Sequence, residues 1–116
     1  MGEFFLTLLH AATNTHILHL QSKSYSEHMA LGAFYAELPD LVDAVIEAIQ
    51  GLTGEIIEYP ADYYPPLDSG LDELMALKEY VDSERHILPK DSQIQNAVDA
   101  IVELIDSTIY KLKFLK

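Results

Sequence analysis

Apolar residues recur along this chain at three- and four-residue intervals, the spacing that places them on one face of an α-helix, and they do so in four separate stretches. The first runs from Glu3 to Ser22 and aligns Phe5, Leu8, Leu9, Ala12, His16, His19 and Leu20. It predicts a helix whose inward stripe carries two histidines. A short polar break follows, in which Ser24 and Glu27 have the S-x-x-E spacing of a capping box. So short a turn makes the first two helices antiparallel neighbours. The second stretch, from Tyr25, passes through Leu31, Phe34, Tyr35, Leu38, Leu41, Val42, Val45, Ile46 and Ile49 to Gly51, a candidate C-terminal cap. Pro39 lies inside it and removes a backbone donor, but the apolar spacing resumes in phase beyond it. One helix with a local bend is therefore expected.

Residues 52–69 break the pattern with Gly54, Pro60, Pro65 and Pro66, and hold Tyr59, Tyr63 and Tyr64. Helical spacing returns from Ser69 to Leu88 with Leu71, Leu74, Met75, Tyr80 and Val81, and Pro89 ends it. The fourth stretch, 91–114, opens on a second capping-box spacing, Ser92 with Gln95, and carries Ile94, Val98, Ile101, Ile105, Ile109 and Leu112. Nothing reads as a strand pair, although Glu55 to Tyr59 could be locally extended. The short, long and short connections predict one all-α domain, a four-helix bundle running up, down, down and up, the long segment spanning the bundle. Its predicted core is Phe5, Leu9, Leu31, Leu38, Val42, Leu74, Val98, Ile101 and Ile105.

Charge changes the functional picture more than the structural one. Seven Lys plus Arg against nineteen Asp plus Glu give a formal net charge of -12, which repels phosphate backbones and argues against nucleic-acid binding. Lys111, Lys113 and Lys116 cluster at the end of the fourth helix, where they complement its dipole. Cysteine is absent, so thiolate metal sites and Cys nucleophiles are excluded. The opening run has an acid, Glu3, and no basic residue ahead of its apolar positions, unlike a secretory signal. No apolar run approaches the ~20 residues that cross a bilayer. A soluble, cytoplasmic protein with no membrane association is the expectation.

The candidate chemistry rests on imidazoles and carboxylates. His16, His19, His28, Asp43 and Glu47 are the residue types that hold a divalent metal when they project from bundle helices. Each also has an ordinary structural role open to it: a hydrogen-bonded interface histidine, or a carboxylate on a solvated face. His16 and His28 flank the first turn and can sit at similar depth on adjacent helices. His28 and Glu47, nineteen positions apart on one helix, are separated by roughly 28 Å at the usual ~1.5 Å rise per residue. A site using all four ligands has to be built by two chains. No E-x-x-H, G-x-S-x-G, Gly-rich phosphate loop or H-E-x-x-H is present.

The stretch from His16 to Glu47 resembles the first two helices of Dps-type proteins, small ferritin-like iron-storage proteins whose ferroxidase site is shared between subunits. His16 and His28 match that family's two histidines from one subunit, and Asp43 and Glu47 match the D-x-x-x-E pair from the other. The segments His19 to Tyr25 and Pro39 to Asp43 are similar, more closely still, to short phage-encoded ferritin-like proteins of unassigned function. Gly32 stands where Dps-type proteins usually have a further carboxylate, and Ile17 where they have Trp; the basic tail that some of them use on DNA is missing. The resemblance implies a homo-oligomer, at least a dimer, with an intersubunit site for iron or another divalent metal and weak or vestigial ferroxidase activity. The alternative is a non-enzymatic structural or interaction bundle, phage-encoded and acting in the host cytoplasm, with Tyr59, Tyr63 and Tyr64 as its contact surface for a protein partner.

Overall fold

The computed structural model describes residues 1–116 and contains four α-helices and no strand. They are α1 (Gly2–Gln21), α2 (Tyr25–Thr53), α3 (Gly70–Glu84) and α4 (Ser92–Phe114), with a 3₁₀ turn (Arg85–Ile87) after α3. α2 sets the length of the molecule. At ~1.5 Å per residue its 29 residues reach about 43 Å, close to the 45 Å long axis.

α1 packs against α2 and α3, and α4 against the same two helices, so α1 and α4 are diagonal. The connection 54–69 fixes the directions. Its start lies against the beginning of α1, where a side chain at Gly2 would strike the Glu58 carbonyl. Farther on, the Tyr64 carbonyl meets Asn14, and at its end Gly70 sits against the Leu31 side chain near the start of α2. The segment thus climbs the flank of the bundle, and α3 begins beside the start of α2 and runs parallel to it. The order is up, down, down, up, and every neighbouring pair is antiparallel.

One apolar cluster of 19 buried residues joins all four helices. It includes every expected core residue except Leu9, which is half-buried and packs on its edge. Burying each Leu or Ile of this set is worth about 1.5–3 kcal/mol. In α1 the buried stripe is offset from the expected one: Phe4, Phe5, Leu8, Ala11, Thr15 and Leu18 face inward, while His16 is exposed and Leu20 is 69% exposed. Polar residues hold inward positions because their polar atoms are answered. The Thr15 hydroxyl donates to the Ala11 carbonyl at 2.7 Å, and Asn14 bonds to the connection.

The ends of the helices also differ in part from the sequence reading. The Ser24 hydroxyl accepts from the Glu27 N–H, but the Ser24 N–H is taken by Ser22, so only half of that box forms. Ser69 caps α3 by accepting from the Asp72 N–H. α2 continues through Pro39 and past Gly51 to Thr53, and Gly54 terminates it at φ 73°, a left-handed conformation that only glycine adopts without strain. At α4 the Ser92/Gln95 box is absent. Asp91 holds the cap position without a side-chain bond, and Gln95 is drawn away to Arg85 and Pro89. Glu55 to Tyr59 forms no regular element; the Ile57 N–H is satisfied by the Gln50 side chain.

Candidate functional site

The turn between α1 and α2 leaves the last carbonyls of α1 without helical partners, the His19 carbonyl among them, and the His28 ring answers that one while the His19 ring bonds back to α2. His28 Nδ1 donates to the His19 carbonyl at 2.8 Å, and His19 Nδ1 donates to the His28 carbonyl at 2.5 Å. A carbonyl can only accept, so Nδ1 carries a proton in both rings; in the neutral form of either ring the lone pair then lies on Nε2. The two imidazoles stack with centroids 3.6 Å apart and planes 17° apart. His16 stacks in turn on Tyr35, centroids 4.1 Å and planes 10° apart, and Tyr35 meets His19 edge-on at 5.3 Å. Three histidines and a tyrosine therefore form one aromatic seam between α1 and α2.

Gly32 makes room for this seam. A Cβ there would come within 3.0 Å of Cε1 and 3.2 Å of Nδ1 of His19, so a side chain at this position would press on the ring and require it to give by a few tenths of an ångström. What reads in the sequence as a missing carboxylate is, in the fold, the seat of His19. Tyr35 and Gly32 are the members of the seam that sequence reasoning missed. The signal for them was present: Gly32 follows His28 by four residues and Tyr35 by seven, the spacing of one helical stripe.

The carboxylates of the expected metal set lie elsewhere. Asp43 and Glu47 are exposed on α2, on a stripe that runs Met29, Ala33, Ala36, Asp40, Asp43 and Glu47, opposite the buried stripe Leu31, Phe34, Leu38, Val42, Val45 and Ile49. Within the chain no three His, Asp or Glu side chains converge on a point where an ion could sit. The structure brings His16, His19 and His28 into one seam and does not bring Asp43 or Glu47 to it. Parallel stacked rings direct their lone pairs side by side and not toward one centre, so His19 and His28 could share an ion only by separating.

The tyrosines of the connection are not equivalent. The Tyr63 hydroxyl donates to Asn14 Oδ1 at 2.7 Å and its ring meets His10 edge-on at 5.0 Å, so Tyr63 anchors the connection to α1. Asn14 completes the tie by donating to the Tyr64 carbonyl at 3.0 Å. Tyr64 is 75% exposed, and Tyr59 is also exposed.

The model of a family of unknown function (DUF5856) matches residues 19–112. The chain belongs to this family. The matched region contains His19, His28, Asp43, Glu47 and the three tyrosines of the connection; His16 precedes it. A protein of Enterobacteria phage T4, described as an uncharacterized 14.6 kDa protein in the mobD-ri intergenic region, is 25% identical over 113 residues, or 97% of this chain and 84% of the phage protein. No solved structure matches. The expected kinship with short phage-encoded proteins is met by the T4 relative, and neither the family nor this relative carries a ferritin or Dps name. No helix is long and apolar enough to cross a membrane.

Proposed function

We propose that this protein is a ferritin-like, non-enzymatic bundle that works as a homo-oligomeric interaction module, phage-encoded and active in the host cytoplasm. The observation that carries the reading is the reciprocal bonding of His19 and His28. Imidazoles tied Nδ1-to-carbonyl across a turn and stacked face to face are serving the hairpin. Support for the ferritin-like fold comes from the up, down, down, up order with its single long crossover and antiparallel neighbours. Support for self-association comes from the outer face of the α1–α2 hairpin. There Leu20, Tyr25 and Met29 are 69%, 78% and 53% exposed at the turn end, and Ala33 and Ala36 continue the surface along α2. An isologous pairing would cover this patch on both copies at once. Light scattering behind size exclusion at micromolar concentration tests it. A dimer that Met29→Glu and Leu20→Glu convert to monomer is expected, and a monomeric wild type overturns the reading.

A second reading is favoured by two observations. The Nδ1–carbonyl bonds leave Nε2 as the ring nitrogen available to a metal in the neutral imidazole, and His16, Asp43 and Glu47 are all exposed and open to a second chain. In this reading His16 and His28 of one chain and Asp43 and Glu47 of another hold one iron or other divalent ion, and His19 becomes a further ligand only when the stacked pair separates. Gly32 leaves such a site one ligand short of the Dps-type set, so weak binding and slow or absent iron oxidation are expected. Calorimetric titration of Fe(II) or Zn(II) into wild type, His28→Ala and Glu47→Ala decides it. Equal binding by all three removes the metal reading.

A further inference from the structure

The flank of α1 opposite the histidine seam holds a cleft of about 300 Å³, bounded by α1, α3 and the climbing connection. Its apolar lining includes Leu6, Ala11 and Leu77, with the exposed Ala76 on a wall and Tyr64 and Tyr80 also lining it. Glu3, Asp62 and Glu73 supply three carboxylates from three different elements, and no Lys or Arg is among the lining residues. Glu73 is half-buried, and its carboxylate accepts one protein hydrogen bond, from the Leu67 N–H at 3.2 Å. Burial holds this carboxyl above the ordinary carboxylate range, with the Leu67 bond pulling the other way. A negative site with low-dielectric walls focuses its field on whatever enters. Neutral apolar molecules gain nothing from that field and anions are repelled by it.

We propose that this cleft binds a small organic cation, a primary amine on a compact aromatic or alkyl body, with the ammonium between Glu73 and Asp62 and the body on the Leu6–Leu77 floor. The size fits: at ~30 Å³ per water-sized group the cleft takes on the order of ten non-hydrogen atoms. The chemistry fits as well, because an ammonium supplies three donors to carboxylates with no cationic partner and, in Glu73, a single hydrogen bond, and the faces of Tyr64 and Tyr80 tolerate a cation. This site is independent of the histidine seam and of self-association through the outer face of the α1–α2 hairpin.

The test is an amide-resonance titration of the full chain with phenethylamine, 2-phenylethanol and 3-phenylpropionate, three bodies of one shape and three charges. Phenethylamine is expected to give saturable shifts confined to α1, the connection and α3, with Kd on the order of 1 mM for a ligand of this size. The alcohol is expected to bind at least about fivefold more weakly and the carboxylate not at all. Glu73→Gln should weaken the amine by about fivefold or more, and Ala76→Trp, at an exposed wall position, should abolish binding while leaving helix content unchanged. Should Glu73→Gln disturb the fold, Asp62→Asn on the exposed connection provides the same comparison. Equal binding of amine and alcohol, absence of saturable shifts in the wild type, or indifference to both carboxylate substitutions would overturn the proposal.

Discussion

The two helical hairpins of the bundle close their turns by opposite means. In α1–α2 the tie is made by two stacked imidazoles, His19 and His28, each bonding the other's carbonyl across nine residues. In α3–α4 it is made by one cation. Arg85 Nε donates to Gln95 Oε1 at 3.0 Å, and Nη2 donates to the Gln95 carbonyl at 2.9 Å and to Asp99 at 2.8 Å, while Gln95 Nε2 returns a bond to the Pro89 carbonyl. A second ion pair, Lys78 with Asp106, joins the same two helices farther along and holds the lysine above its usual range. The comparison teaches that a helix–helix turn can be tied by shape or by charge. The shape solution packs closely on a small neighbour, Gly32, whereas the charge solution uses a long flexible arm.

The largest effect should come from the core both hairpins share. Ile101 on α4 is fully buried in the common core, so Ile101→Asp places a charge where no partner exists and is expected to abolish folding, seen as loss of the helical circular-dichroism signal. Next, Arg85→Ala removes three donors at once and should cost about 2–3 kcal/mol in denaturant unfolding, a loss that shrinks in high salt because its Asp99 partner is exposed. His28→Ala removes one hydrogen bond and one stacked ring and should cost about 1–2 kcal/mol, with no dependence on salt. If both losses respond to salt alike, the contrast between the two ties is wrong.

The smallest effect concerns Glu73, a residue of the second hairpin that carries a burial cost with no counterpart in the first. Its folded-state proton affinity is raised above that of the unfolded chain, so the folded protein gains from protonation. That gain is fully present below the ordinary carboxyl range and is lost as pH rises through the raised folded value. Glu73→Gln, which keeps the acceptor for Leu67, should therefore unfold at a slightly higher temperature than the parent at neutral pH. The two should converge in acid, and thermal scans across pH show whether they do.

How far the chain could be read depends on which side of this contrast a residue lies. The four helices, the climbing connection and most of the core follow from apolar spacing alone, since period and turn residues agree throughout. The rotation of α1 does not, because Asn14 and Thr15 occupy inward positions that a count of apolar residues assigns to its neighbours. The histidines were legible as a cluster, and the meaning of the cluster was not. Reciprocal bonding depends on ring orientation, which sequence spacing leaves open, and Gly32 carries opposite messages as a lost ligand or as a ring seat. The caps were half legible for the same reason: Gln95 has the right spacing from Ser92, yet Arg85 competes for it from another element.

The ties also differ in how far the chain must search to make them. The histidine tie and the Arg85–Gln95 tie span nine and ten residues, whereas Asn14 reaches Tyr63 and Tyr64 across 49 and 50. Closing the longer loop costs more chain entropy, by about (3/2)RT for each unit of the logarithm of the length ratio. The two hairpins can therefore assemble as separate local units, and the connection docks onto α1 only once both exist. On a ribosome that order becomes vectorial. α1 and α2 emerge first and can clasp through their histidines while Leu8, Phe34 and Leu38 still wait for the second half of the core, so the clasp acts as a placeholder that holds a half-finished interior in register until α4 arrives.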